Sequence, residues 1–273
     1  MYGAVVREEP LTGGLMSTVS RLAFEDGRSL VYKESVNPPP ELFECEADGL
    51  TTLSRIGGVR VPEIYEVGET FILLEDFGPQ SPRPPAYWEE FGRVLARMHL
   101  QRSERFGYHR DNYIGSKRTD NGWAEDGASY FAETRILRFL GEPLVDAHLT
   151  AEDRSRIERF AASLPGRLPK QGPSLVHGDL WPGNMLATRD DGPALIDPAV
   201  YYGLPEADLA LLPDFEQVPE AFYRAYLELH PLEPGWRDRL RMLGLRDALG
   251  MVAEFGDQYG SLERVRSILQ EFA

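Results

Sequence analysis

The chain has one cysteine, Cys45, in 273 residues. No intrachain disulfide can form and no zinc-ligand spacing exists, so a reducing cytoplasm is the expected setting. No apolar run approaches the roughly eighteen residues that cross a bilayer. Met1 to Arg7 lacks the basic start and long apolar core of a secretory signal. Basic residues are the minority, 29 against 44 acids, for a net charge of −15. With no basic patch visible, neither nucleic acid nor an anionic membrane is expected as a partner. The acidity suits a cationic co-substrate or serves solubility alone. Internal repeats and low-complexity tracts are missing too. What remains, 42% hydrophobic and 27% charged, is the composition of an ordinary globular chain, long enough for one large domain or two lobes.

Strand-like runs crowd the first third. Val5-Val6, Ser17 to Phe24 and Leu30 to Lys33 are separated by the glycine-bearing turns Gly13-Gly14 and Asp26-Gly27. Asn37-Pro38-Pro39-Pro40 breaks the chain. Glu41 to Ile56 then has helical spacing, with Leu42, Phe43, Ala47, Leu50 and Leu53 on one face and Gly57-Gly58 at its end. Pro62 to Val67 and Phe71 to Leu74 complete five predicted strands. Gly78 to Pro85 is a stiff proline-rich link. It divides the chain into an N-terminal lobe (1–77), a hinge (78–85) and a larger lobe (86–273). Helices are predicted there over Tyr87–Gln101, Glu125–Leu140, Ala151–Leu164, Glu206–Leu212, Val218–Leu229, Gly235–Glu254 and 261–272.

The second lobe carries the chemistry. In His177-Gly178-Asp179-Leu180-Trp181-Pro182-Gly183-Asn184, followed by Asp197-Pro198-Ala199, an Asn stands five positions after an Asp and a second Asp thirteen further on. Leu175-Val176 and Ala194-Leu195-Ile196 beside them read as buried strands. A lone His-Gly-Asp is a common turn, but the joint pattern is much rarer. Phosphoryl transfer from ATP needs one group to orient the attacking hydroxyl and accept its proton, and two to hold magnesium against phosphate oxygens. Asp179 suits the first role, and Asn184 and Asp197 suit the metal. His177 is expected to bond backbone and shape the loop.

The nucleotide has its own candidates. Gly13-Gly14, with Ser17 after it, lets backbone N–H groups approach phosphate, although such a pair also makes a plain hairpin turn. Lys33, on the strand after that loop, reaches the α- and β-phosphates if an acid on the next helix holds it. Glu46 has the better apolar frame for this and Glu44 is the alternative. Where Phe71 to Gly78 runs into the hinge, the backbone around Asp76 and Phe77 is expected to read adenine.

At these residues the chain resembles the fructosamine kinase (ketosamine-3-kinase) family, relatives of aminoglycoside phosphotransferases and choline kinases. The matching pieces run from residue 13 to 210. They are Gly13-Gly14-x-x-Ser17, Lys33, Phe43-x-x-Glu46-Ala47-x-Gly49-Leu50, Phe106-Gly107-x-x-x-Asp111-Asn112-Tyr113-Ile114-Gly115 and Asn121-x-Trp123. The loop from His177 to Asn184 continues them, with Asp197-Pro198-Ala199-Val200-Tyr201-Tyr202-Gly203-x-x-Glu206-x-Asp208-Leu209-Ala210.

The resemblance implies an α+β, two-lobed protein-kinase-like fold, with a small N-terminal antiparallel sheet plus one helix and a larger, mostly helical lobe. It also implies ATP- and Mg2+-dependent phosphorylation of a sugar hydroxyl on a small-molecule or protein-bound ketosamine. The phosphorylated adduct is unstable and releases the free amine, which is deglycation. On the acceptor side it points to Trp181, whose indole suits a sugar ring or simply closes the loop, and to Asn121, Tyr201 and Glu206. Asp208 reads as structural.

Departures fall on the same side. Arg118-Thr119-Asp120-Asn121 replaces the usual Pro-Gln-x-Asn, Gly127 stands where a Trp is frequent, and Leu243 to Phe255 lacks the family's Tyr residues and its Leu-Asn-His. Two other readings therefore stay open: a kinase for an amino alcohol or aminoglycoside-like acceptor, and a nucleotide-binding regulator without transfer. The presence of Lys33, Asp179, Asn184 and Asp197 together argues against the regulator.

Overall fold

Alternating apolar side chains build a five-stranded antiparallel sheet from β1 (Val5–Pro10), β2 (Thr18–Phe24), β3 (Ser29–Glu34), β4 (Ile64–Val67) and β5 (Phe71–Glu75). Their order is β1-β2-β3-β5-β4. The computed structural model describes residues 3–11, 17–188, 192–215 and 218–273, so Gly13 and Gly14 lie outside the described residues. The period-two alternation of β5 divides the lobe's interior in two. Ile72 and Leu74 meet Phe43 and Leu50 of the helix α1 (Leu42–Arg55), while Leu73 meets Phe24 and Leu30 on the opposite face. Lys33 pairs across the ladder with Ile72 and so shares the α1 side of the sheet.

Beyond the hinge the chain is mostly helical. It forms α2 (Pro85–His99), α3 (Gly127–Phe131), α4 (Pro143–His148), α5 (Ala151–Ser163), α6 (Pro205–Leu209), α7 (Glu220–Leu229), α8 (Trp236–Leu243), α9 (Leu245–Phe255) and α10 (Ser261–Phe272). The helix α2 runs through the main core, where Phe91, Leu95, Ala96 and Met98 are fully buried. Its Gly92 lets α7 lie directly against it, because a Cβ there would sit 2.3 Å from the carbonyl oxygen of Phe222.

Three short antiparallel pairs complete the lobe. They join β6 (Asn112–Ile114) to β7 (Lys117–Thr119), β8 (Ser174–Val176) to β11 (Tyr201–Gly203), and β9 (Met185–Ala187) to β10 (Pro193–Leu195). The last two build the site. The hairpin β9–β10 returns the chain from Asn184 to Asp197, and the ladder β8–β11 lays the residues after Asp197 beside those before Asp179.

Two predicted helices differ. Glu125–Leu140 gives only α3, followed by a π-turn over Ala132–Ile136 and a 3₁₀ turn over Leu137–Gly141. The wider turn carries Arg135 inward, where its guanidinium lies 4.0 Å from the Tyr201 ring centre and 5.1 Å from that of Tyr130. Gly235–Glu254 is divided into α8 and α9 at Gly244. Glycine is a weak helix former, and here a Cβ would stand 3.0 Å from Arg264 Nη2.

Gly92→Ala is expected to force α2 and α7 apart and lower stability by about 1–3 kcal/mol. A urea titration reads this as a lower midpoint at unchanged slope; an unmoved midpoint contradicts the close packing.

Candidate active site

The loop after β8 is held from behind by Asp208 of α6. Asp208 Oδ2 accepts the His177 N–H at 2.6 Å and Oδ1 accepts the Gly178 N–H at 2.8 Å. Burial alone would raise the Asp208 pKa, yet the hydrogen bond to His99, 3.2 Å away through Nε2, keeps it below the ordinary value. His99 Nδ1 is bonded in turn to the Tyr226 hydroxyl at 2.7 Å. The His177 ring is also committed, since Nε2 donates to the Ile196 carbonyl at 2.9 Å and Nδ1 accepts the Asp179 N–H at 3.3 Å. Gly178 has φ +85°, and a Cβ there would lie 2.0 Å from the Ala199 carbonyl oxygen. Only glycine fits. Asp179 emerges half-buried, and that burial pushes its carboxyl above the usual range against the pull of Arg246 and His177.

Asn184 closes the loop. Its side-chain Nδ2 donates to the Asp179 carbonyl at 2.9 Å and to Asp179 Oδ2 at 3.3 Å, which leaves Oδ1 as the amide's acceptor. Ile196 N–H donates to the Asn184 carbonyl at 3.1 Å and draws Asp197 alongside. Asp197 has φ 54°, a left-handed conformation that costs a non-glycine residue about 1 kcal/mol or more. Lys33 Nζ then bridges the lobes, donating to Asp197 Oδ1 and to Glu46 Oε2, each at 2.8 Å.

Glu46, not Glu44, is therefore the acid on Lys33. The helix reaches that position because Gly49 lets it pass Pro198, where a Cβ would come 2.9 Å from Pro198 Cγ. Burial raises Glu46 to about 7, opposed by Lys33 and reinforced by Asp197, and its Oε1 is buried without a partner. Burial would raise Asp197 as well, but the charge and hydrogen bond of Lys33 hold it low.

The donors fit a hard divalent cation. One carboxylate and one amide oxygen match magnesium, which keeps waters and phosphate oxygens in most of its sphere. Among the described residues no cluster of three or more His, Cys, Asp or Glu side chains forms a closed metal cage. At the hinge, the Asp76 carboxylate accepts from Arg21 Nε at 2.6 Å, Ser29 Oγ at 2.5 Å and Gly78 N–H at 2.9 Å, so its side chain holds the lobe together. The backbone N–H and C=O of Phe77 have no hydrogen-bond partner among the described residues. Ser17 lies half-buried just before β2.

A site of this composition on this fold matches a known family, as the model described as fructosamine kinase fits residues 3–272. The chain belongs to the fructosamine kinase family. It is 33% identical over 269 residues to a probable ketoamine kinase of Enterococcus faecium, covering 96% of this chain and 94% of that protein. It is 31% identical over 261 residues to a chloroplastic protein-ribulosamine 3-kinase of Arabidopsis thaliana, covering 91% and 78%. Among solved structures it is similar to a Thermobifida fusca protein provisionally named a fructosamine-3-kinase, with TM-score 0.87, 32% identity and coverage of 98% and 95%. A choline kinase of Streptococcus pneumoniae, 17% identical with TM-score 0.67, shares the fold. The protein is accordingly a phosphotransferase with an alcohol group as acceptor, on an α+β, two-lobed protein-kinase-like fold.

The acceptor-side residues expected of a fructosamine kinase part company here. Trp181 lines an open groove. Asn121 is 1% exposed, and its Oδ1 accepts from Arg135 Nη2 at 2.6 Å and from the Tyr130 hydroxyl at 3.2 Å. Tyr201 is buried beneath the same Arg135. Glu206 is buried with both oxygens on Arg239, at 2.6 Å each. These three hold the lobe together and offer no open face to an acceptor.

Arg246 of α9, which no sequence motif marks, also holds the loop: its Nη2 donates to the Gly178 carbonyl at 2.5 Å while Nη1 donates to Asp247. Its one local signal is a charged pair inside the apolar run Leu245 to Val252.

Asp208→Ala leaves two buried N–H groups and His99 without their acceptor. Unfolding free energy is expected to fall by about 3–5 kcal/mol in urea denaturation; an unchanged value would remove Asp208 from that role. Behind His99, burial and then the neighbouring His99 and Arg102 depress His230 to about 4. Its unfolded form takes a proton near pH 6.5 and the folded form only near pH 4, so stability is full above 6.5 and is lost as pH falls between those values. The loss is at most about 3 kcal/mol. His230→Gln is expected to flatten that part of the stability–pH curve.

Proposed function

We propose that this protein transfers the γ-phosphate of ATP to a sugar hydroxyl of a ketosamine, and so acts in cytoplasmic deglycation. One observation carries the reading. Lys33 joins Glu46 of the sheet lobe to Asp197 of the helical lobe, beside a loop in which Asn184 holds Asp179.

In this reading Lys33, steadied by Glu46, meets the α- and β-phosphates. The backbone of Phe77 pairs with adenine, and the segment Gly13-Gly14 to Ser17 covers the phosphates. Asn184 and Asp197 hold magnesium, which when bound offsets charge on the phosphate oxygens. Asp179 aligns the acceptor hydroxyl and takes its proton; burial, by lifting its carboxyl, makes it the better base. Trp181 lends an indole face to the sugar–amine junction. Positioning and charge, more than covalent chemistry, lower the barrier. Relatives named ketoamine kinase and protein-ribulosamine 3-kinase support the acceptor class.

The test is ATP consumption with ribulosamines, fructosamines and amino alcohols at saturating magnesium. Ketosamine-stimulated turnover is expected. Asp179→Asn should lower kcat by about 10²–10⁴, and Asp197→Ala should abolish transfer. Stimulation by amino alcohols alone would overturn the ketosamine reading. An absence of stimulation by every acceptor would favour a regulator.

A further inference from the structure

The hinge and the catalytic loop flank an open groove of about 540 Å³, with Gln80, Ser81, Arg83 and Trp88 on one side and the turn Trp181-Pro182-Gly183 on the other. Among the described residues no acid lines it, in a chain where acids outnumber bases 44 to 29. Arg83 is the one charge among its described lining residues. One nitrogen, Nη2, donates to the carbonyls of Pro182 at 3.1 Å and Met185 at 2.5 Å. The guanidinium carbon stands 5.7 Å from the Trp88 ring centre and 5.9 Å from that of Tyr87.

Arg83 is therefore held in place by backbone and aromatic rings. Among the described residues no carboxylate pairs with it, and its remaining N–H groups have no protein acceptor. Gln80 adds to this character. Its Oε1 accepts the Ala187 N–H at 3.3 Å, so the amide's NH₂ is left as a donor. The polar face of the groove thus presents N–H donors around one preorganised cation, which is the chemistry that recognises a carboxylate.

The opposite wall is apolar. The Trp181 ring packs 6.3 Å from Phe215. It also lies over Gly183, where a Cβ would be 2.1 Å from its Cη2. Trp181 is two residues from Asp179 along the chain, so one loop carries both a wall of the groove and the group assigned to the acceptor hydroxyl.

We propose that this groove receives the amine-derived half of the acceptor and selects ketosamines of free amino acids, with the α-carboxylate on Arg83 and the side chain against Trp181. The proposal rests on the ketosamine reading above. It separates a low-molecular-weight adduct from one on a protein lysine, which brings no α-carboxylate to the same distance.

Two matched acceptors test it: the glucose adduct of phenylalanine and that of phenylalaninamide. The wild-type ratio of kcat/KM, carboxylate over amide, should be about tenfold, the size of one charge-assisted contact. Arg83→Gln should bring that ratio close to one through the KM of the acceptor. Ser81→Asp, which places an acid in the groove without touching the backbone bonds of Arg83, should do the same and guards against a folding artefact in the first variant. A wild-type ratio near one, a ratio surviving both variants, or a loss confined to the KM for ATP would each overturn the proposal. If neither these adducts nor the matching ribose adducts are phosphorylated, the ketosamine reading fails, and the groove is judged by tryptophan fluorescence. Saturable binding of the carboxylate adduct about tenfold tighter than the amide, lost in Arg83→Gln, sustains it. Equal binding of the two overturns it.

Discussion

One ammonium between two carboxylates organises this molecule. Lys33 comes from the sheet, Glu46 from the helix packed on that sheet and Asp197 from the far lobe; the first two side chains are largely withdrawn from water and the third is partly so. A buried charge is tolerated only when paired, so each group fixes the other two. The arrangement ties α1 to β3 and closes the lobes on one another. It also leaves an excess of negative charge, seen in the raised Glu46 and its unpartnered Oε1. A cation accompanying a nucleotide would relieve that excess.

The ion pair works only because the loop beside it is rigid. Backbone amides of His177 and Gly178 are anchored on Asp208, which His99 and Tyr226 support from the core. Arg246 grips the Gly178 carbonyl from α9. Two ladders of three residues each then bring Asn184, Asp197 and Asp179 together. Elements so short have little stability of their own; their order comes from the buried network beneath them. Chemistry that depends on placement needs this kind of foundation.

The acceptor side follows different physics. Asn121, Tyr201 and Glu206 each have an arginine partner inside the lobe, Arg135 for the first two and Arg239 for the third. Arg83, by contrast, faces a groove with no acid among its described lining residues. Specificity follows from a preorganised donor set more than from area.

What the sequence determined was local. Strand and helix periodicity set the five-stranded sheet and α1, and the spacing of Asp179, Asn184 and Asp197 marked the loop, because those signals depend on neighbours along the chain. The long helix predicted over Glu125–Leu140 failed because Arg135 was drawn into the core, an effect of distant residues, and the one over Gly235–Glu254 is divided at Gly244, a weak helix former. The same holds at the site. Glu44 and Glu46 stand about 200° apart around a helix, so the one that meets Lys33 depends on how α1 docks, and Gly49 against Pro198 decides that. Burial of Asn121, Tyr201 and Glu206, the reach of Arg246 and the exposure of Arg83 are likewise outcomes of packing. Local pattern names the residue types a reaction needs; only the tertiary structure decides which charges are already paired and which remain for a ligand.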